Sequence, residues 1–231
     1  MNTVTRDACG TLFIVATPIG NLQDMTIRGL EVLRVADVIF AEDTRVTKKL
    51  LSHYAIKKSV ASYHEHSPGR VSHSIIELLH TGKSIALVSD AGTPGIADPG
   101  ARLITAVRRE VPEARIVPIP GVSAITAALS ASGIQAERFT FLGFPPHKKG
   151  RETFFRKLQT IAVRPLVFFE SPHRLTKTLR ALQTHIGGES TVVIAKEITK
   201  HYETFFQGTV ADAARLFTGD RARGEFVIIL S

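Results

Sequence analysis

The chain has 231 residues, of which 44% are hydrophobic, enough for one large or two modest globular domains. It contains one cysteine, Cys9, which excludes an internal disulfide and a cysteine-rich zinc site. No apolar run reaches the roughly 18 residues of a membrane helix, and the N-terminus has no apolar signal-peptide core, so we expect a cytoplasmic protein.

The net charge is +8, and most of the excess lies in the second half of the chain. Residues 1–120 carry 14 basic and 12 acidic side chains, whereas residues 121–231 carry 15 and 9. A basic half favours a polyanionic partner such as a nucleic acid. A basic surface that serves only solubility is the alternative.

The first 120 residues alternate between short apolar runs and amphipathic helical stretches. Residues 1–10 are expected to form a loose tail. Asp24 is predicted to cap the first helix, and Asp98 with Pro99 to begin the helix after the fourth strand. The alternation predicts βαβ units, a parallel sheet and right-handed crossovers. The predicted strands are residues 12–16, 38–41, 59–63, 85–89 and 115–119.

The regular alternation of strands and helices ends at the stiff connector Pro118-Ile119-Pro120-Gly121. We place the domain boundary there, which gives domains 1–120 and 121–231. Residues 191–196 and 203–208 read as strands separated by only six residues. Because that gap is too short for a crossover helix, the two strands should be antiparallel. The second domain is therefore predicted to contain a mixed sheet with helices, and its other strands are 139–143, 166–170 and 226–230.

A turn rich in glycine and proline, Asp90-Ala91-Gly92-Thr93-Pro94-Gly95, follows the fourth strand. Strand, glycine-rich turn and helix is the arrangement with which open α/β sheets bind ligands. The loop is longer than the usual βα connection of about 2–6 residues. Its glycine spacing matches neither the dinucleotide nor the nucleoside-triphosphate fingerprint. The turn therefore predicts a ligand site of another kind.

Eight short stretches, spread over almost the whole chain, carry a family resemblance. They are LFIVATPIGNL from residue 12, AEDTR from 41, SDAGTPGIADPG from 89, IPGVSA from 119, GFP from 143, ESPHR from 170, AKEITK from 195 and GEF from 224. Each is weak alone, but together and in this order they are specific. On these motifs the chain resembles the tetrapyrrole-methylase superfamily of S-adenosylmethionine-dependent methyltransferases. Within it, the chain is most similar to enzymes that 2′-O-methylate a cytidine in the decoding region of 16S ribosomal RNA.

The resemblance implies a tetrapyrrole-methylase-like α/β fold, with a parallel N-terminal domain and a mixed-sheet C-terminal domain. It implies that S-adenosylmethionine lies folded in a cleft between them, that no metal is used, and that the protein is a homodimer. The implied partner is the small ribosomal subunit, with neither DNA nor a membrane involved. Consistent with the absence of a metal, His64 and His66 are predicted to lie in a surface loop. Members of this group usually carry a further C-terminal segment, whereas this chain stops at Ser231.

The resemblance also assigns residues to the cofactor. Asp90 would accept from the cofactor's ammonium or ribose, although it could instead cap a turn, and Ser123 could equally cap a helix. The residues carried over from the first domain and the connector are Pro18, Asp90, Ala91, Gly92, Ile96, Ala97, Gly121 and Ser123, and those from the second domain are Leu142, Ala195 and Glu225.

A ribose hydroxyl is a poor nucleophile, so a base or a cation near its oxygen should help. Glu42 and Asp43 follow the second strand, and Lys196 ends a strand of the other domain. We expect both sets to face the cleft, with Lys196 as the base and Glu42 or Asp43 as the orienting group. Ordinary ion pairing is the alternative for Lys196. The predicted phosphate contacts are Arg45, Lys148, Lys149, Arg151, Arg174, Lys200 and Arg223.

Two other functions remain open at this point. One is a relative that methylates a tetrapyrrole or a modified protein side chain. The other is a non-catalytic RNA-binding assembly factor with a vestigial cofactor pocket. With three tyrosines and no tryptophan, base stacking is expected to be sparse, so shape and phosphate recognition are favoured.

Overall fold

The computed structural model describes residues 9–64 and 69–231. The chain divides into two compact units, Met1–Ser123 and Ala124–Ser231, and each contains a five-stranded sheet. Most of the predicted tail and His66 lie outside the described residues, so these two predictions stay untested. Among the described residues, no helix combines the length and apolarity needed to cross a membrane.

The sheet of the first unit is entirely parallel, as the alternation of strands and helices predicts. Its strand order is β3-β2-β4-β1-β5, so β4 is central. The strands are β1 (Thr11–Val15), β2 (Val38–Ala41), β3 (Val60–Ser62), β4 (Ser84–Val88) and β5 (Arg115–Ile119), and the helices are α1 (Ile27–Val35), α2 (Thr44–His53), α3 (Gly69–His80) and α4 (Ala101–Glu110).

The central strands are apolar along their whole length because helices cover both faces of the sheet. One core cluster includes Leu12, Ile85 and Leu103, all fully buried. A second cluster includes Leu33 and Ile39, also fully buried. This packing fixes the carboxyl ends of β1, β2, β4 and β5 along one edge of the sheet.

Two predicted helix caps are wrong. Thr26 caps α1, since its Oγ1 accepts from the backbone N of Gly29 at 3.0 Å, while Asp24 ends a short 3₁₀ turn. α4 begins only at Ala101, after Gly100, whose φ of +149° few other residues adopt. The Asp98 side chain hydrogen-bonds to Ser89 instead of capping the helix.

The second unit contains a mixed sheet in the order β6-β7-β10-β8-β9. Only β6 and β7 are parallel, and the predicted antiparallel pairing of β8 with β9 is confirmed. The large buried side chains Phe155 and Phe168 lie in its core. The strands are β6 (Thr140–Phe141), β7 (Leu166–Glu170), β8 (Thr191–Lys196), β9 (Thr204–Thr209) and β10 (Phe226–Leu230), and the helices are α5 (Ala124–Ala131), α6 (Arg151–Lys157), α7 (Leu175–His185) and α8 (Val210–Leu216).

Candidate functional site

The loop that follows β4, residues 89–100, is the centre of the candidate site, and we call it the central loop. It is bonded to the loop after β1 by a pair of backbone hydrogen bonds. The N of Thr17 donates to the O of Gly92 at 2.9 Å, and the N of Gly92 donates to the O of Thr17 at 3.0 Å. The buried Thr17 hydroxyl adds a third bond, to the O of Ser89 at 3.1 Å.

The central loop is also bonded to the loops after β5 and β2. Thr93 donates from Oγ1 to the O of Val122 at 3.3 Å. The backbone N of Asp43 donates to Oδ1 of Asp90 at 2.9 Å. The loops after four adjacent parallel strands are thus joined at the carboxyl edge, where open α/β sheets bind ligands.

Two glycines allow this close assembly of loops. Gly92 has a φ of +82°, in the region that side-chain-bearing residues rarely adopt. At Gly121, a Cβ would lie 2.9 Å from the Cβ of Ala16, which is too close for a carbon contact. Backbone groups therefore reach the edge of the sheet without side chains in the way.

The structure brings together the cofactor residues predicted in the first unit. Pro18 and Gly92 are buried supports of the edge, whereas Asp90 and Ala97 are exposed on the central loop. Ala97 has a φ of +61° without being glycine, a strained conformation of a kind that recurs at binding sites. The other members, on the same loops, are Ala91, Ile96, Gly121 and Ser123.

The three cofactor candidates of the second unit differ in how accessible they are. Ala195 has no exposed surface because it lies within β8, between β10 and β9. Leu142 is half-buried, packs against the hydrophobic core, and donates its backbone N to the O of Val167 at 2.9 Å. Glu225 is exposed, and its Oε2 accepts from Nζ of Lys200 at 2.7 Å.

Carboxylates crowd the carboxyl edge of the first sheet. The pKa of Asp98 is raised to about 6, first because the side chain is desolvated and second because the negative charges of Glu42 and Asp90 oppose its ionisation. From the sequence, Asp98 was predicted as a helix cap and as one of two acids in a ligand loop, but not as a neighbour of Glu42. The available signal was a second acid in a loop too long for a simple βα turn.

Asp43 has the opposite environment. Its Oδ1 accepts from the backbone N of Arg45 at 2.8 Å, and its Oδ2 accepts from Nη2 of Arg45 at 2.6 Å. These hydrogen bonds lower the pKa of Asp43 to about 2. Asp43 also caps α2, so its carboxylate is engaged in holding the start of a helix and is a poor proton acceptor.

The predicted base, Lys196, is the last residue of β8, and one predicted phosphate contact, Lys200, lies in the loop that follows. Nζ of Lys196 donates to the O of Arg221 at 3.2 Å. Nζ of Lys200 donates to Glu197 at 3.0 Å and to Glu225 at 2.7 Å, so this lysine is held between two carboxylates. Its hydrogen-bonding capacity for a phosphate is correspondingly reduced.

The predicted phosphate contacts separate into exposed and enclosed cations. Lys148 and Lys149 are exposed on the segment before α6, and Arg223 is exposed beside Asp220, 3.1 Å away. Arg151 is the first residue of α6, not part of the free loop, and like Arg174 it is largely enclosed at the buried Glu170. The remaining candidate, Arg45, is exposed and paired with Asp43.

Within residues 9–64 and 69–231, no group of three or more His, Cys, Asp or Glu residues has the arrangement of a metal site.

Comparison with known proteins gives two kinds of match. A family model described as tetrapyrrole (corrin/porphyrin) methylases matches residues 11–214. Proteins named ribosomal RNA small subunit methyltransferase I are similar over nearly the whole chain. The one from Neisseria meningitidis is 47% identical over 96% of this chain and 76% of its own length. Those from Synechocystis sp. and Bacillus subtilis are 44% and 42% identical, each over 96% of this chain, and are covered over 79% and 75% of their lengths.

Solved structures of lower sequence identity share the fold. A cobalt precorrin-4 methyltransferase superposes with a TM-score of 0.71 at 20% identity, covering 100% of this chain and 98% of its own. A diphthine synthase superposes with a TM-score of 0.69 at 16% identity, covering 96% and 90%. The chain therefore belongs to the tetrapyrrole methylase family, within the group of the ribosomal RNA small subunit methyltransferase I proteins.

Proposed function

We propose that the protein transfers a methyl group from S-adenosylmethionine to 16S ribosomal RNA of the small ribosomal subunit. The observation that carries this proposal is the identity of 42–47% to proteins named for that activity, over nearly the full chain. The finer assignment, to the 2′-hydroxyl of a cytidine in the decoding region, rests on the resemblance of the eight sequence motifs. The substrate would place the protein in the cytoplasm, and a homodimer stays a prediction.

The first unit offers the chemistry that the cofactor requires. Burial first, and then the negative charges of Glu42 and Asp90, raise the pKa of Asp98, so a cationic ligand near these three carboxylates would be stabilised. When bound, S-adenosylmethionine supplies an activated methyl group on a sulfonium and carries a second positive charge on its ammonium. Gly92 and Gly121 let the loops pack closely and place no side chain at these two positions of the edge. The residues present therefore fit this cofactor.

The chain's own residues would then orient the acceptor and remove its proton. We keep Lys196 as the proposed base, because it is the last residue of β8 and its Nζ donates to a neutral group, the backbone O of Arg221. Glu42 is the proposed orienting group. Asp43 stays a second proposed orienting group, although both of its carboxylate oxygens already accept hydrogen bonds from Arg45.

The exposed cations Lys148, Lys149 and Arg223 are the proposed phosphate contacts of the second unit. Arg45, exposed on the first unit, is kept as a further proposed contact. Leu142 and Glu225 are kept as proposed cofactor contacts, whereas Ala195 would act only by holding β8 in place.

Transfer of labelled methyl tests the proposed function directly. Purified protein would be incubated with S-adenosylmethionine labelled in the methyl group, in parallel with small ribosomal subunits, free 16S RNA and a porphyrinogen. We expect label in RNA and none in the porphyrinogen. Label only in the porphyrinogen, or no transfer by a protein that binds RNA, would refute the proposal.

A further inference from the structure

The carboxylate of Glu170, at the end of β7, is completely buried and holds two arginines. Nε of Arg174 lies 2.9 Å from Oε1 of Glu170, with 12% of the arginine side chain exposed. Nη2 of Arg151 lies 3.8 Å from Oε2, with 17% of its side chain exposed. The hydroxyl of the buried Thr178 links them, donating to Glu170 and accepting from Nη2 of Arg151 at 2.6 Å. A buried carboxylate needs such partners, and breaking the set would leave an uncompensated charge.

Both arginines also bind the segment that leads from β6 to α6. Nη1 of Arg174 donates to the O of Pro145 at 2.8 Å, and Nη1 of Arg151 donates to the O of Pro146 at 3.2 Å. Two successive proline carbonyls are thus attached to one buried carboxylate through two rigid guanidinium groups. The segment just before the exposed Lys148 and Lys149 is consequently tethered to the core by two hydrogen bonds.

Phe144, which directly precedes the two prolines, is an exposed aromatic residue whose ring packs against neighbouring side chains. Phe144 is 51% exposed, among the most exposed of the large hydrophobic side chains that the structure describes. Its ring packs on that of Phe169, with centroids 5.2 Å apart, and the guanidinium of Arg174 lies 5.9 Å from its centroid. About half of the Phe144 surface remains exposed, and the exposed Lys148 and Lys149 follow four and five residues later in the chain. An aromatic ring next to cations is the arrangement with which proteins bind single-stranded RNA, by base stacking and phosphate contacts.

We propose that residues 144–149 form a preorganised subsite for single-stranded RNA, in which Phe144 stacks on a base and Lys148 and Lys149 contact phosphates. Glu170 is its positioning residue and acts through Arg174 and Arg151. This deepens the proposed function, because it names how the RNA substrate is held. It also revises the expectation of sparse stacking, which rested on tyrosine and tryptophan and left Phe144 aside.

The stacking role can be measured without methyl transfer. The probes are a short unstructured RNA oligonucleotide and an abasic ribose-phosphate chain of equal length. Phe144→Ala should weaken binding of the RNA by roughly 5- to 100-fold and leave binding of the abasic chain unchanged. Phe144→Trp should restore RNA affinity. Phe205→Ala is the matched control, since Phe205 is 38% exposed in the same unit, and it should change affinity by less than about twofold.

The role of Glu170 needs its own variants and a structural readout. Glu170→Gln should lower RNA affinity and speed tryptic cleavage after Lys148 and Lys149, with S-adenosylmethionine affinity unchanged. Arg174→Lys, a milder change that removes the planar guanidinium joining Glu170 to the O of Pro145, should give the same pattern if Glu170→Gln fails to fold.

Three results would overturn the proposal. Phe144→Ala could lose affinity for the RNA and for the abasic chain equally, or it could change the oligomeric state of the protein and keep its RNA affinity. The third result is that a folded Glu170→Gln or Arg174→Lys protein is cleaved by trypsin as slowly as the parent. If the proposed function were wrong but the subsite right, the protein would transfer no methyl group to RNA, yet the variants would still differ in RNA affinity as described.

Discussion

Replacing Asp98 by Asn should stabilise the protein at neutral pH while weakening its cofactor site. The pKa of Asp98 is raised from 3.8 to about 6 by burial and by the neighbouring Glu42 and Asp90. The folded state therefore holds this proton more tightly than the unfolded state. Ionising Asp98 in the folded state therefore costs free energy. This cost is absent below about pH 4, grows as the pH rises from about 4 to 6, and lowers the stability in full above that range.

The magnitude follows from the same values. A pKa that rises from 3.8 to about 6 corresponds to a penalty of at most roughly 3 kcal/mol. Because the side chain is only half-buried, solvent screening reduces this to about 1–2 kcal/mol. Asparagine has nearly the same shape and can still hydrogen-bond to Ser89, so Asp98→Asn should raise the free energy of unfolding by that amount at pH 7.5.

Urea unfolding of the parent and of Asp98→Asn at pH 4 and pH 7.5 measures the effect. We expect a gain at pH 7.5 and little difference at pH 4. Asp220→Asn, at an exposed carboxylate, is the control and should change stability by less than about 0.5 kcal/mol. If Asp98→Asn is no more stable than the parent at pH 7.5, or gains equally at both pH values, the charge-repulsion argument is wrong.

The remaining predictions concern binding and rate. Gly92→Val should abolish S-adenosylmethionine binding in calorimetry and leave the circular dichroism spectrum unchanged, because valine at a φ of +82° displaces the central loop. Unchanged affinity would refute the proposed cofactor site. Replacing Lys148 and Lys149 by Ala should make the slope of log binding constant for RNA against log salt concentration shallower by about 1.5. Replacing the exposed pair Lys48 and Lys49 should leave the slope unchanged. If the Lys148 and Lys149 variant has the slope of the parent, these lysines do not contact RNA phosphates. Lys196→Met should slow single-turnover methylation by about 10²–10⁴ with both affinities kept, and near-parental rates would show that Lys196 is not the base. Asp43→Ala should lower the free energy of unfolding, because it removes the cap of α2, whereas Asp43→Asn can keep that cap, and equal stability of the two variants in urea unfolding would refute the capping role.

Much of the fold followed from hydrophobic patterning. Short uncharged runs such as residues 85–88 are typical of buried strands in a parallel sheet, and the short gap between β8 and β9 permits only an antiparallel pair. The residues that cap the helices could not be predicted in the same way. Asp24 and Asp98 are both good cap residues, but Thr26 and Gly100 occupy the caps, since tertiary contacts decide among several local candidates.

The candidate site could be predicted in part. The sequence located the central loop and its glycines, because strand ends and turn residues are local signals. It could not show that Asp43 is bound to Arg45, or that Arg151 and Arg174 converge on Glu170. Those pairings depend on side-chain directions and, for Arg151, on residues distant in the chain.

The most direct test of the central claim is to map the methyl group on the RNA. Unmethylated small ribosomal subunits would be incubated with the protein and S-adenosylmethionine, and the 16S RNA digested and analysed by mass spectrometry at nucleotide resolution. The account predicts one additional methyl group, on the ribose of a cytidine in the decoding region, and none when the Gly92→Val protein is used. A methyl group on a base, one on another nucleotide, or an unmodified 16S RNA would contradict it.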